Sequence, residues 1–411
     1  MKIIILNILF LLFFTNHIII AHTFHLGNIH NLYSYIDKAA PNDTLYIKNS
    51  QINEYGIVID KPLTIIGDDK TIIDADYHGG NIITITSNNV IIKNIEIKNV
   101  KKSAVSDNAA IKLIEVHNCI IENNKITNGF FGIYLAKCEN NIIRNNQIES
   151  NSIHESMSGN GIHLWQCKHI TISNNYISKH RDGIYFEFVT GAKIINNVSH
   201  DNLRYGLHFM FSDSCHYTQN TFDHNGAGVA VMYSHNVNMT GNSFINNWGA
   251  AAYGVLLKDI RNSIVRNNTF SNNTVGIYTE NSTNILLEKN TITKNGWAVK
   301  IMANCNGDVF THNNFISNTF DVATNSSQNN NKFIENYWTA YSGYDLNHDG
   351  FGDVPYHPVR LFSLLITQQQ PAMILLRSLF IELLDIAERI FPTLTPATLI
   401  DEKPLIKPVK L

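Results

Sequence analysis

Met210 and Met232 lie 22 residues apart, and each is the fourth residue after a glycine followed by an aliphatic side chain, Gly206-Leu207 and Gly228-Val229. His208 stands two residues before Met210. Thioether sulfur and imidazole nitrogen together suit Cu(I), because soft sulfur matches a soft cation and its lone pair is not lost to protonation. That chemistry requires an element that sets side by side two residues 22 positions apart. The plainer reading is that both methionines pack beneath a loop or a partner surface, since Met commonly fills gaps.

The spacing belongs to a repeat. Polar turn pairs, each with Asn in at least one place, begin at Asn123, Asn145, Asn174, Asn196, Gln219, Gly241, Asn267, Lys289 and Asn313, at intervals of 22, 29, 22, 23, 22, 26, 22 and 24. A second series, Gly132, Gly161, Gly183, Gly206, Gly228, Gly254 and Gly276, keeps the same period and the same two insertions. Around the markers residues alternate, as in Gly183-Ile-Tyr-Phe-Glu-Phe188, which is the period of a strand. Coils of about 22 residues with about three short strands predict an all-β chain, a right-handed single-stranded parallel β-helix whose strands pair with their counterparts one coil on, about 4.8 Å away. The 55 asparagines fit this solenoid, because stacked turn positions let amides form ladders and Asn tolerates a left-handed corner.

Composition sets the class. Of 411 residues, 44% are hydrophobic and 16% charged, and 31 Lys plus Arg stand against 34 Asp plus Glu. Such a chain can bury a large core, and its net charge of −3 argues against a nucleic-acid partner. Residues 1–21 carry Lys2 and then apolar runs, the shape of a secretory signal cleaved after Ala21. The five cysteines are 19, 29, 48 and 90 apart with no C-x-x-C, so at least one is unpaired within the chain, and their plain role is to fill a core. Residues 22–60 are expected to hold the first strands and a helical cap over Asn31–Ala40, which would cover the open first coil. The β-helix should run over 61–340, followed by a calcium-like loop at 341–356 and a tail at 357–411. In that tail Pro371 to Phe391 reads as an amphipathic helix, and Pro392, Pro396, Pro404 and Pro408 as an extended arm.

If the aliphatic residue after each repeat glycine points inward, the second and fourth residues point outward. The second positions hold Tyr134, His163, Tyr185, His208, Ala230, Leu256 and Tyr278; the fourth hold Ala136, Trp165, Glu187, Met210, Met232, Lys258 and Glu280. Met210 and Met232 then occupy neighbouring coils with His208 on the same face, and the 29-residue coil adds His154 and Met157 near His163 as further candidate ligands. A carbohydrate-active or carbohydrate-binding face is the competing reading, but Glu187 and Glu280 stand four coils apart, roughly 20 Å, too far for paired acid–base work. Asp345, Asn347, Asp349 and Asp353 occupy positions 1, 3, 5 and 9 of a calcium-like loop with Gly350 at position 6, although Tyr356 replaces the bidentate Glu at 12. Weak Ca²⁺ binding and an Asx-rich turn are both open there.

Three segments go beyond a generic solenoid: Arg204-Tyr-Gly-Leu-His-Phe-Met-Phe-Ser-Asp213, Gly228-Val-Ala-Val-Met-Tyr-Ser234 and Tyr253-Gly-Val-Leu-Leu-Lys-Asp259. With Asn336-Tyr-Trp338, the Asp349–Tyr356 loop and the Pro-rich tail, the chain resembles the NosD family, periplasmic maturation proteins for nitrous-oxide reductase. The resemblance implies a protein without turnover, partnered with an ABC ATPase and permease, that takes copper from a donor lipoprotein and serves assembly of the reductase's copper clusters. His208, Met210 and Met232 match the family's motif positions; Phe211 stands where Tyr is common, and the loop around His348 is less acidic than usual. On this reading Met210, Met232 and His208 hold Cu(I) transiently. The tail would dock on the permease, through Pro371, Phe380, Leu384, Phe391, Pro404 and Leu405.

Overall fold

The computed structural model describes residues 21–325, 329–376, 378–391 and 399–410. Residues 1–20 of the expected signal, and Pro392 and Pro396 of the arm, lie outside the described residues. Three parallel sheets of 14, 12 and 13 strands run along the molecule, and each strand pairs with its counterpart one coil away, which makes the chain a right-handed parallel β-helix. Two sheets consist almost entirely of three-residue strands whose central side chain is buried, while the strands of the third reach six residues, as in Asp182–Glu187, Tyr205–Met210 and Ala227–Met232.

In-register stacking builds the core. One column runs Ile121, Ile143, Ile172, Ile194, Tyr217, Met239, Val265, Leu287, Phe310 and Phe333. Another stacks the rings of Phe222, Phe244 and Phe270 at 5.4 and 4.6 Å. The repeat glycines mark a close approach: a Cβ on Gly183, Gly206 or Gly228 would lie 2.4 to 2.7 Å from the carbonyl oxygen of the next coil's glycine. No other residue fits there without moving backbone.

The corners hold themselves. Asn124, Asn146, Asn175, Asn197, Asn220, Asn242, Asn268, Asn290, Asn313 and Asn336 are buried in one ladder, each Oδ1 from Asn146 onward accepting the backbone N–H and the amide Nδ2 of the rung before it. This satisfies polar groups that would cost free energy if buried alone. Another corner uses sulfur or oxygen for the same task. The Sγ of Cys167 and the Oγ atoms of Ser212 and Ser234 accept an N–H from the preceding coil and donate to the carbonyl two residues back. Cys215 does the same at a further corner, as does Ser263. All five cysteines are free and buried, and burial pushes the Cys119 thiol up to about 11 and that of Cys215 up to about 12. Cys167 and Cys215 are hydrogen-bonding counterparts of serine, a role that composition alone did not show.

Both ends are closed. Helix Tyr33–Lys38 buries Ile36, and the Glu54 carboxylate accepts the N–H groups of Leu32 and Tyr33 at its start. At the other end the helix expected over Pro371–Phe391 begins only at Leu379 and runs to Ile390; Gln370–Leu375 is a 3₁₀ turn, and a separate helix, Leu361–Gln368, precedes it. Proline disfavours a helical residue before it, so Pro371 ends the first helix. The arm also differs from expectation. Residues 399–410 fold back on the last coil, with Asp401 bridging Phe333 and Leu405 bridging Tyr337. Pro404 is buried and Leu405 half-buried in that contact, so these two candidate partner residues serve the solenoid's own closure.

Candidate metal-binding face

The outer surface of the third sheet carries the candidate site. Register stacks Tyr134, His163, Tyr185, His208, Ala230 and Leu256 in one column, and Ala136, Trp165, Glu187, Met210, Met232, Lys258 and Glu280 in the next. Met210 and Met232 are directly paired and half-buried. The first column points out of the coil yet does not reach bulk solvent: His163 is 9% exposed and His208 7%. Residues just before the repeat glycines also lie against this face. Phe131 meets the rings of Tyr134 and His163 edge-on, and Tyr205 lies against His208.

The two histidines have different surroundings. His163 is sandwiched between Tyr134 and Tyr185, with ring centroids at 4.4 and 4.7 Å, and its Nδ1 lies 2.9 Å from Asn160 Nδ2. Burial first, and then Arg181 and Lys112, pull its pKa down to about 3, so it is a neutral spacer in a ring stack. His208 has its Nδ1 edge facing Asp182 Oδ2 at 3.5 Å and Arg204 Nη2 at 3.2 Å, and its Nε2 is buried with no hydrogen-bond partner. Tyr185 joins His208 to the methionines: its ring meets that of His208 edge-on at 5.0 Å, and its hydroxyl donates to Met210 Sδ at 3.9 Å.

Asp182, which the outward-position reading did not reach, is fully buried and bidentate to Arg204, with Nε to Oδ1 at 2.9 Å and Nη2 to Oδ2 at 2.6 Å. Burial would push its carboxyl up, but hydrogen bonds from His208 and Arg204 hold it below the usual carboxylate range. Its only sequence signal is its place one residue before a repeat glycine. A second unforeseen feature borders the methionines. Phe188, Phe211 and Tyr233 occupy the corner after the fourth position on three successive coils, their exposed rings stacked at 5.3 and 4.9 Å. All three have positive φ, 56°, 47° and 53°, at a corner where neighbouring coils place Lys137, Gln166, Asp259 and Asn281.

Other candidates stand outside these two stacked columns. His154 and Met157 are exposed on the loop that carries the Glu155–Met157 turn. In the calcium-like loop the Asp345 carboxylate accepts N–H groups from Asp349 and Gly350, Asn347 Oδ1 accepts that of Asp349, Asp349 that of Phe351, and Asp353 that of Leu346, so these side chains shape a run of Asx turns. Among the described residues no three His, Cys, Asp or Glu side chains converge as a metal cluster. Glu187 and Glu280 are four coils apart, and Glu280 pairs with Lys258 at 3.1 Å. Higher on the same face, Phe362 and Ile366 pack with Val275, Trp297 and Phe320, and Ile381 and Leu384 pack against that cluster. Leu384 is thus turned inward, whereas Leu379, Phe380, Leu383, Ile386, Ile390 and Phe391 are exposed, as is Pro371 in the preceding turn.

Residues 144–347 match the family described as "Periplasmic copper-binding protein (NosD)", and residues 39–158 match the right-handed β-helix region. Two "Probable ABC transporter binding protein NosD" sequences are similar. That of Pseudomonas aeruginosa is 28% identical, covering 85% of each chain, and that of Stutzerimonas stutzeri is 25% identical, covering 85% of this chain and 84% of its own. The A-module of an Azotobacter vinelandii mannuronan C-5 epimerase covers 74% of this chain and 87% of its own, with a TM-score of 0.50 and 16% identity, a likeness of fold alone.

Proposed function

Since this chain belongs to the NosD family, we propose that it is a periplasmic accessory protein of an ABC transporter that holds Cu(I) in transit to the copper centres of nitrous-oxide reductase. The observation that carries this reading is the direct pairing of Met210 with Met232 beside a buried imidazole nitrogen that lacks a partner. Two thioethers and one imidazole make a soft, low-coordinate set, suited to a cargo that must arrive and leave. Because the half-buried methionines project from an outer sheet face, a donor lipoprotein or the reductase can reach a metal held on them without opening the coil. Paired carboxylates are not found among these stacked positions, which favours carriage over polysaccharide chemistry.

An anaerobic Cu(I) titration against a competing chelator tests this. The parent should bind, and Met210→Leu with Met232→Leu should lose the metal while costing less than about 1.5 kcal/mol of stability, because volume is conserved. Unchanged copper affinity in the double variant would overturn the assignment to this face.

The contact with the permease is assigned to the exposed stripe Leu379, Leu383, Ile386 and Ile390 with Phe380 and Phe391. No helix among the described residues is long and apolar enough to cross a membrane, and an exposed apolar stripe of this kind marks an interaction surface. Changing Phe380 and Ile386 to Ser should abolish co-purification with the permease and ATPase and leave the solenoid folded. Co-purification at the parent's level would refute the docking role.

A further inference from the structure

Cys138 and Cys167 stand at the same corner on successive coils. Glu139 and Lys168, the residues that follow them, form a parallel bridge, and Lys168 donates its N–H to the Cys138 carbonyl at 2.9 Å. The N–H of Cys138 points at Cys167 Sγ, 3.5 Å away. The two thiols also bond to each other, and that contact pulls the Cys138 thiol below its ordinary pKa and pushes that of Cys167 up. Coils stack about 4.8 Å apart, within the roughly 4.4 to 6.8 Å between Cα atoms that a disulfide spans. Cys119 and Cys215 have other neighbours across the coil step: the Cys119 N–H meets Asn141, and the Cys215 sulfur meets Ala192.

We infer that Cys138 and Cys167 are a redox pair that closes as a disulfide across the coil step, a covalent staple around residues 139–166. Both side chains are buried, so the bond forms before these coils close. One cysteine thiolate attacks an oxidant disulfide and a sulfur leaves as thiolate; the second cysteine thiolate then attacks the mixed disulfide and releases the other oxidant sulfur. Two thiols are oxidised, one oxidant disulfide is reduced to a dithiol, and the two cysteine protons end on the oxidant's sulfurs. In the cell an oxidising compartment supplies that oxidant, so there the inference rests on the periplasmic reading above. The staple encloses the 29-residue coil that carries the exposed Ile153, His154 and Met157. A second run of stacked asparagines, Asn202, Asn225, Asn247, Asn273 and Asn295, stops at His180, one coil above that loop. A cross-link there restricts the unfolded chain where that ladder is missing.

The pair can be tested without copper or export. The signal-free chain is unfolded, reduced and refolded in a glutathione redox buffer; free thiols are then alkylated under denaturing conditions, and the digest is mapped by mass spectrometry. The peptides of Cys138 and Cys167 should be linked, and Cys119, Cys215 and Cys305 alkylated. Five alkylated cysteines in the refolded chain, or a link through Cys119, overturns the inference. Cys138→Ser with Cys167→Ser suits a corner that holds Ser212 and Ser234 on other coils, and should refold with no link. A link among its remaining cysteines means unselective oxidation and overturns the inference as well. The same map on the chain isolated from cells separates the pair from the compartment: a link after refolding but none in the cell supports the pair and counts against the periplasmic reading.

Discussion

The asparagine corner and the outer face of the third sheet are built on the same coils, yet they obey opposite rules. From Asn124 to Asn336 the corner repeats one residue and one pair of hydrogen bonds, and nothing in it is left over. Across the face the residue changes at every coil: Tyr, His, Tyr, His, Ala and Leu in one column, and Ala, Trp, Glu, Met, Met and Lys in the next. The face contains a buried carboxylate, a guanidinium and an unpartnered imidazole nitrogen, each a cost that a pure scaffold would not need to bear. Where a solenoid repeats it is solving stability, and where it departs from the repeat it is doing something else.

The largest effect should come from breaking the ladder where it ends. Asp401 replaces the missing next Asn: its carboxylate accepts the N–H groups of Glu335 and Asn336, the Asn336 amide and the Trp338 indole N–H. Asp401→Ala strands these donors and should cost about 3 to 5 kcal/mol, seen in denaturant unfolding and in lost amide-exchange protection over the last coils. A loss under about 1 kcal/mol would mean that the ladder needs no terminal acceptor.

Acid should weaken the face more than the corner. His163 has its pKa depressed from 6.5 to about 3 and His180 to about 4, both first by burial. A base with a depressed folded pKa gives stability that is present above the unfolded value of 6.5 and is lost as pH falls from there toward the folded value. For His163 the loss is about 2 kcal/mol by about pH 5. His163→Gln should make the decline shallower in a pH series of chemical denaturation, and an unchanged slope would place the sensitivity elsewhere.

The smallest effect sharpens the comparison most. Phe188, Phe211 and Tyr233 hold bulky rings in left-handed backbone at a corner that other coils fill with Lys, Gln, Asp or Asn. Changing all three to Asn should leave stability within about 1 kcal/mol of the parent, because relief of backbone strain offsets the lost stacking. A large loss in thermal denaturation would make the ring ridge a structural element after all.

Much of this was legible in the residues. The shared period of the glycine and asparagine markers predicts the coils, and alternation after Gly206 and Gly228 is enough to place Met210 opposite Met232. What escaped that reading depends on bends and returns. Asp182 lies one residue before Gly183, outside the positions that alternation assigns to the face, and Arg204 meets it from the next coil. Pro371 to Phe391 has helical spacing throughout, yet its first turn is 3₁₀ and the α-helix starts at Leu379, while helix Leu361–Gln368 before it packs Phe362 and Ile366 on Val275, Trp297 and Phe320. Pro404 and Leu405 looked free because nothing local shows that a tail will return to residues more than 60 positions earlier.

By itself, then, the sequence determined the solenoid, its period and the pairing of the methionines, since in-register stacking turns a spacing in the chain directly into a neighbour in space. Only the tertiary structure decided that His163 is locked between rings while the Nε2 of His208 is buried without a hydrogen-bond partner, and that of two buried aspartates Asp182 holds Arg204 while Asp401 closes a ladder. Those outcomes turn on burial and on which groups meet across coils. Both are properties of the folded surface that no local pattern encodes.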